Sequence, residues 1–351
     1  MGALVPNSDV VLIMCFVRFS IRIVVAMLLS ASGATAGTLE DAVAAFNRQD
    51  YTSALQLLEP LADNNDPRAQ FYLGMTYLLK TDESQDYAEA AKWLLRAAQE
   101  DHTDAQYNLG LMFLRGVGVA QNLVEAAKWY RKAADKGDAP SQSSLGGMYE
   151  NGLGVEKDYA EALKWYRKAA DQGYPLAQSN LGGMYAYGLG VAQDYAEAVV
   201  WYRKAAEHGD PAGEVNLGTM YEHGLGVEKD YGEAATWYQR AADQGEAAAE
   251  FNLGEMYAHG LGVVRDDPEA TKWYRKAAEQ GDAVSQFRIG QAYALGLGVA
   301  RDDVFAHMWL SLAAAGGFDE AKKARDELAS GMTATELARA DALAAAWKPK
   351  E

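Results

Sequence analysis

The chain holds a single cysteine, Cys15, among 351 residues. Cys15 lies in an N-terminal segment expected to be removed, which leaves a mature chain without thiols. That excludes a disulfide framework, a thiolate nucleophile and any cysteine-based metal site. Positive charge is scarce too: 32 Lys and Arg face 49 Asp and Glu, for a formal net charge of −17. A surface this acidic repels a phosphate backbone and an anionic membrane, so nucleic acid is excluded as a partner. Its plain meaning is solubility. The apolar stretch from Ile23 to Ser30 is too short to cross a bilayer. Missing as well are a Gly-x-Ser-x-Gly elbow, a His-Glu-x-x-His helix, a phosphate-binding loop and a dinucleotide fingerprint after a strand. The absences point to binding, without catalytic residues, cofactor or metal.

The first 36 residues read as an address. Arg18 and Arg22 form a basic region, Ile23 to Ser30 a short apolar one, and Ala34-Thr35-Ala36 supplies small residues for cleavage before Gly37. Asp9 and Val10–Val17 precede the positive charges, so initiation at Met14 gives a more regular signal than initiation at Met1. A retained anchor is the rival reading, and no lipid-attachment cysteine follows the apolar run. The expectation is a periplasmic or secreted protein, cut after Ala36, with no stable membrane insertion afterwards.

What the chain has in plenty is repetition. Trp93, Trp129, Trp165, Trp201, Trp237, Trp273 and Trp309 stand 36 residues apart, and Gly74, Gly110, Gly146, Gly182, Gly218, Gly254 and Gly290 keep the same interval. A fixed period of this length marks a stacked solenoid, in which each repeat buries its apolar face against its neighbours.

Residues 177–212 show one unit. Ala177, Leu181, Met184 and Tyr185 fall on one face of a first helix. Gly182 interrupts it at a cost of about 1 kcal/mol relative to alanine, which implies a close approach by the neighbouring helix. The Gly188-Leu189-Gly190-Val191 turn follows. Asp194 then caps a second helix, with Glu197 placed to complete a capping box. Asp86/Glu89, Asn122/Glu125, Asp158/Glu161, Asp230/Glu233 and Asp266/Glu269 repeat that pairing. Gly137, Gly173, Gly209, Gly245, Gly281 and Gly317 are placed to stop the second helices in the left-handed conformation. A tryptophan recurring at one helical phase is assigned to the core rather than to ligand stacking. The Arg131/Lys132, Arg167/Lys168, Arg203/Lys204 and Arg275/Lys276 pairs are assigned to a solvated outer face.

Leu145-Gly146-Gly147-Met148-Tyr149, Gly152-Leu153-Gly154-Val155, Asp158-Tyr159-Ala160-Glu161-Ala162 and Trp165-Tyr166-Arg167-Lys168-Ala169-Ala170 together resemble the Sel1-like repeat. That repeat is a 36-residue relative of the tetratricopeptide repeat. The resemblance implies an all-α fold, an α/α solenoid wound as a right-handed superhelix and closed by capping helices. It divides the chain into a signal peptide (1–36), an N-terminal capping hairpin (37–68), seven repeats (69–320) and C-terminal capping helices (321–351). Departures fall at the ends. Lys80-Thr81-Asp82-Glu83 replaces the first glycine turn, and Asp101 stands where a cap glycine would. Residues 38–61 form a shorter hairpin, in which Tyr51 and Leu57 hold the register of Tyr87 and Trp93. Two further helices are expected near 319–330 and 333–347, the second capped by Thr333 with Glu336.

The resemblance also implies an adaptor role, with a protein or peptide segment lying along a concave groove lined by the first helices. Its best-placed residues are Phe71, Met75, Leu78, Tyr107, Leu111, Tyr187, His223, Phe251 and His259. Phe71, Leu78, Tyr107 and Leu111 are read as partner anchors, unless the N-terminal hairpin covers them. Ser143, Gly147, Ser179 and Gly183 leave the middle of the groove wide and shallow. His223 and His259 occupy equivalent positions about 10 Å apart, too far to share a metal. Relatives in the bacterial envelope restrain sensor kinases or assemble exopolysaccharide and secretion systems, and those roles are the expectation here. The alternative is the penicillin-binding or β-lactamase activity linked to cysteine-rich members. It lacks support in this chain, where no cysteine pair occurs and no serine is followed by x-x-Lys.

Overall fold

The computed structural model describes residues 38–80 and 86–350. The signal segment with its cleavage site, and most of the altered turn at 80–83, lie outside the described residues. Among those described, eighteen helices and no strand are found. In chain order they are α1 (Leu39–Asn47), α2 (Tyr51–Asp63), α3 (Pro67–Leu79), α4 (Tyr87–Gln99), α5 (Thr103–Arg115) and α6 (Leu123–Asp135). Next come α7 (Ala139–Asn151), α8 (Tyr159–Asp171), α9 (Pro175–Tyr187), α10 (Tyr195–Glu207), α11 (Pro211–His223) and α12 (Tyr231–Asp243). The last six are α13 (Ala247–His259), α14 (Asp267–Glu279), α15 (Ala283–Leu295), α16 (Asp303–Ala315), α17 (Asp319–Ala329) and α18 (Ala334–Ala346). No helix among the described residues is long and apolar enough to cross a membrane.

Two compact units divide the chain. The first holds residues up to 105 together with 117–119, and the second holds 106–116 and 120 onward. In the first, α1 and α2 form the short hairpin, closed by Phe46 against Tyr51 and Tyr72 with ring centroids 6.0 and 5.3 Å apart. α3 and α4 form the next hairpin. Asp101 takes φ +67°, doing without glycine what the later glycine stops do.

As far as α16, the second unit is built of hairpins of two 13-residue helices, each packed on the next. Its second helices start as the sequence pattern dictates. Asp158, for example, accepts from the backbone N–H groups of Ala160 and Glu161. The reciprocal half of the expected capping box is absent from these helices. Glu161 instead bonds Lys164 at 2.8 Å and accepts from the Trp165 indole at 3.0 Å, and Glu197 accepts from Trp201 at 2.8 Å. The N-cap N–H that the box would use is already donated to a first-helix carbonyl, Asp158 to Tyr149 and Asp194 to Tyr185, each at 2.9 Å. Reciprocal capping boxes do form at Thr38/Asp41 and Thr333/Glu336.

The tryptophans pack in the core, Trp237 less deeply than the other six. Their edges explain the Arg-Lys pairs better than simple solvation does. Lys168 sits over the Trp165 ring at 4.0 Å, and Arg131 covers the same ring at 4.8 Å. Arg131 also donates to the Tyr149 hydroxyl, as Arg167 does to Tyr185. The long stems thus shield aromatic surface while the charges stay wet.

At the C-terminal end α17 occupies the place of a first helix. It buries Ala321 and turns Asp319, Lys322, Asp326 and Glu327 to solvent. α18 does not complete that hairpin. It packs back on α16, where Trp347 meets Trp309 edge-on at 6.2 Å. The following residues reach α14, where the Lys350 ammonium lies 2.6 Å from Glu279.

Candidate functional site

One buried polar column ties successive hairpins together. The Gln142 amide donates to the Ala134 carbonyl at 3.0 Å, and Gln178 and Gln286 do the same to Ala170 and Ala278 at 3.2 Å. Glu214 and Glu250 occupy this position in two repeats and are only 1% and 3% exposed. Neither carboxylate can donate. Arg240 takes over for Glu214, pairing with it at 2.9 Å and donating to the Ala206 carbonyl at 3.0 Å. Glu250 accepts from Gln280 at 2.9 Å. Burial raises the pKa of both carboxyls above the ordinary value. The 36-residue period of these glutamines is plain in the sequence but carries no sign of its structural role.

The face formed by the first helices is where a partner has access. In the first unit, Met75 is buried at 4% exposure, and Phe71 and Leu78 are half-buried. The Phe71 ring is already stacked on His102, 4.6 Å away and nearly parallel. Met75 therefore belongs to packing, and Phe71 is engaged within its own unit. In the second unit, Tyr107 and Leu111 are half-buried, with the Tyr107 ring 5.8 Å from Tyr130. Phe251 leans on Tyr274 at 6.1 Å. His223 and His259 are exposed, the first near the Thr219 carbonyl at 3.1 Å and the second 3.7 Å from Glu255. Tyr187 stands out at 63% exposure.

Behind this face lies a row of tyrosines on the second helices. The Tyr166 hydroxyl donates to Glu150 at 2.7 Å, Tyr238 to Glu222 at 2.7 Å, and Tyr274 to Glu255 at 2.5 Å. Tyr130 has Ser144 as its hydrogen-bond partner. Burial raises all four phenols, and the carboxylates add to the effect on the last three. For its part, Glu150 is raised by burial and pulled back by the Tyr166 bond.

Tyr202 breaks the row. The residues that would face its hydroxyl are Ala186, equivalent to Glu150 and Glu222, and Gly183, equivalent to Thr219 and Glu255. Its side chain is buried at 2% exposure, and its hydroxyl has no hydrogen-bond partner among the described residues. Burial raises this phenol too, with the nearby Tyr187 a second cause. A Cβ on Gly183 would lie 3.7 Å from the Tyr202 hydroxyl and meet nothing closer. The opening therefore leads from the first-helix face down to an unpartnered donor. Sequence reasoning noted Gly183 and Tyr187 but missed Tyr202. The available signal was the loss of an acidic residue 16 positions before the tyrosine.

Among the described residues no group of three or more His, Cys, Asp or Glu side chains is arranged to hold a metal ion.

Comparison with known proteins adds a family. The Sel1 repeat model matches seven consecutive segments, 67–102, 103–138, 139–174, 175–210, 211–246, 247–282 and 283–318. The chain is similar to the crystal structure of a Sel1 repeat protein from Oxalobacter formigenes, with 32% identity and a TM-score of 0.67 over 86% of this chain and 98% of the other. It is also similar to c5321, described as a protective antigen of uropathogenic Escherichia coli. That match has 30% identity and a TM-score of 0.44, over 87% of this chain and 82% of the other. No curated protein matches the chain.

Proposed function

The chain belongs to the Sel1 repeat family, and on that premise we propose that it is a non-catalytic adaptor of the bacterial cell envelope. Sel1 repeat proteins are in general protein-interaction scaffolds. In this reading the chain is exported, loses residues 1–36, and holds a protein segment against its first helices. The complex it regulates or assembles is periplasmic or membrane-bound, a sensor kinase or an exopolysaccharide system being the examples expected of the family.

One contrast carries the reading. The second-helix tryptophans recur and are packed inward, while the first-helix positions change from repeat to repeat and leave Tyr187 63% exposed. Invariant positions hold the stack together, so variable exposed ones are free to recognise a partner. The test is in-cell photo-crosslinking from a benzophenone amino acid at position 187, with position 251 as a second probe and the outward Lys322 as a control. A discrete adduct from 187 and 251 but not from 322 supports the adaptor role. Equal, diffuse labelling from all three overturns it. N-terminal sequencing of the mature protein should begin at Gly37; a chain retaining residues 1–36 refutes export. Turnover of nitrocefin by the purified protein would overturn the non-catalytic assignment.

A further inference from the structure

We propose that the opening at Tyr202 is a subsite for a main-chain carbonyl of an extended basic segment, whose cationic side chains pair with Glu150 and Glu222 on either side. This proposal rests on the adaptor reading and specifies the chemistry of its partner.

The donor is built in. Tyr202 is held rigidly, since its ring lies against the bare backbone of Gly182. Its hydroxyl has no partner among the described residues, whereas Tyr166, Tyr238 and Tyr274 each have a carboxylate. A rigidly placed hydroxyl with no acceptor from the protein is already oriented to donate to an incoming one. Gly183 and Ala186 remove the side chains that would keep a polypeptide backbone away. Gly183 is not required for packing, because a Cβ there meets only the Tyr202 hydroxyl, at ordinary contact distance. Tyr187, exposed beside the opening, supplies an aromatic surface for the segment to lie against.

Charge then selects the occupant. Among the first-helix positions that face the partner, from Ser143 to His259, three are glutamate and none is lysine or arginine. Glu255 is already neutralised by Arg288 at 2.9 Å. Glu150 and Glu222 each give one oxygen to a tyrosine, and Lys157 is near enough to Glu150 to act on its charge. The two glutamates lie one repeat to either side of Ala186, about 20 Å apart at a helix spacing of roughly 10 Å. An extended chain covers that span in about six residues. An acidic acceptor would be repelled by both glutamates. A carbonyl carries no charge, and flanking Lys or Arg side chains are attracted. The expected occupant therefore has two basic residues about five positions apart with small residues between them.

The test uses the full chain and a fluorescein-labelled hexapeptide with arginine at both ends and glycine and alanine between, read by fluorescence anisotropy. Its twin carries glutamate at both ends. The arginine peptide should bind at least tenfold more tightly than its twin, and less tightly as salt is raised. Tyr202→Phe should weaken it about fivefold, the effect of one hydrogen bond. Gly183→Leu, which fills the opening, should abolish binding. Tyr274→Phe, whose hydroxyl is engaged by Glu255 outside the subsite, should change it less than twofold. Far-UV circular dichroism establishes that each variant is folded. Equal binding of the two peptides, no binding of either, or indifference to both Tyr202→Phe and Gly183→Leu overturns the proposal. Should position 187 still crosslink a cellular partner in that event, the adaptor reading survives and only this subsite fails. Loss of both would sink the two together.

Discussion

A Cβ on Gly182 would lie 2.7 Å from Cδ1 of Tyr202, closer than packed atoms approach, while one on the adjacent Gly183 would meet only that residue's hydroxyl at 3.7 Å. Two neighbouring glycines thus stand in opposite relation to one ring. Gly182→Ala is expected to lose about 1–3 kcal/mol, because the gain in helix propensity is outweighed by displacing a buried tyrosine. Gly183→Ala should gain about 0.5–1 kcal/mol, since propensity is the main term left. Urea unfolding midpoints of the two variants check this. Equal shifts would mean the close approach has no energetic weight.

Glu250 offers a pH-dependent test. Burial raises its pKa above the ordinary carboxylate value of 4.5, so the folded state binds the proton more tightly than the unfolded state. The stabilisation from that proton is present at low pH and lost as pH rises from about 4.5 through the folded pKa. At neutral pH the buried charge therefore weakens the fold. Glu250→Gln removes the charge and restores a donor for the Ala242 carbonyl, as Gln142 provides for Ala134. The variant should be more stable than the parent by about 1 kcal/mol at pH 7.5, with the difference shrinking as pH falls to 5. A gap that stays constant with pH would rule out Glu250 as its source. Glu214→Gln should bring no such gain, because it strands Arg240.

The tyrosine row predicts unequal costs for the same chemical change. Tyr166→Phe deletes a 2.7 Å bond to the partly buried Glu150 and should cost about 1–2 kcal/mol. Tyr202→Phe deletes a hydroxyl that bonds nothing in the free chain and should cost less than about 0.5 kcal/mol. Chemical denaturation of both variants, without added peptide, measures the difference. A cost at Tyr202 matching that at Tyr166 would show that its hydroxyl has a partner in solution.

The returning C-terminal helix predicts a local effect. Trp347 covers Trp309, and its loss opens a gap against a core ring. Trp347→Ala should cost about 2–3 kcal/mol and raise amide exchange in α16 and α18 while leaving α9 unchanged. Lys350→Ala, which breaks an exposed ion pair to Glu279, should cost less than about 0.5 kcal/mol. Hydrogen exchange resolved by segment separates the two.

Much of the fold was legible because its signals are local and periodic. Asp158 and its equivalents start helices through their own side chains. Gly173 and its equivalents stop them by taking positive φ. Both acts depend on a few neighbouring residues, so the sequence carries them in full. The helices expected near 319–330 and 333–347 appear as Asp319–Ala329 and Ala334–Ala346 for the same reason.

The rest depended on which side chains meet across helices. Glu161 has the spacing of a capping box, yet it bonds Lys164 and the Trp165 indole, because the Asp158 N–H it would accept from is already donated to the Tyr149 carbonyl across the hairpin. Met75 has the spacing of a surface residue but is buried. The sequence by itself determined the repeat, its helices and their caps. Only the tertiary structure decided that Tyr202 faces an alanine and a glycine where its counterparts face acceptors. That relationship joins residues 16 and 19 positions apart on two packed helices, and no local rule of helix formation expresses it.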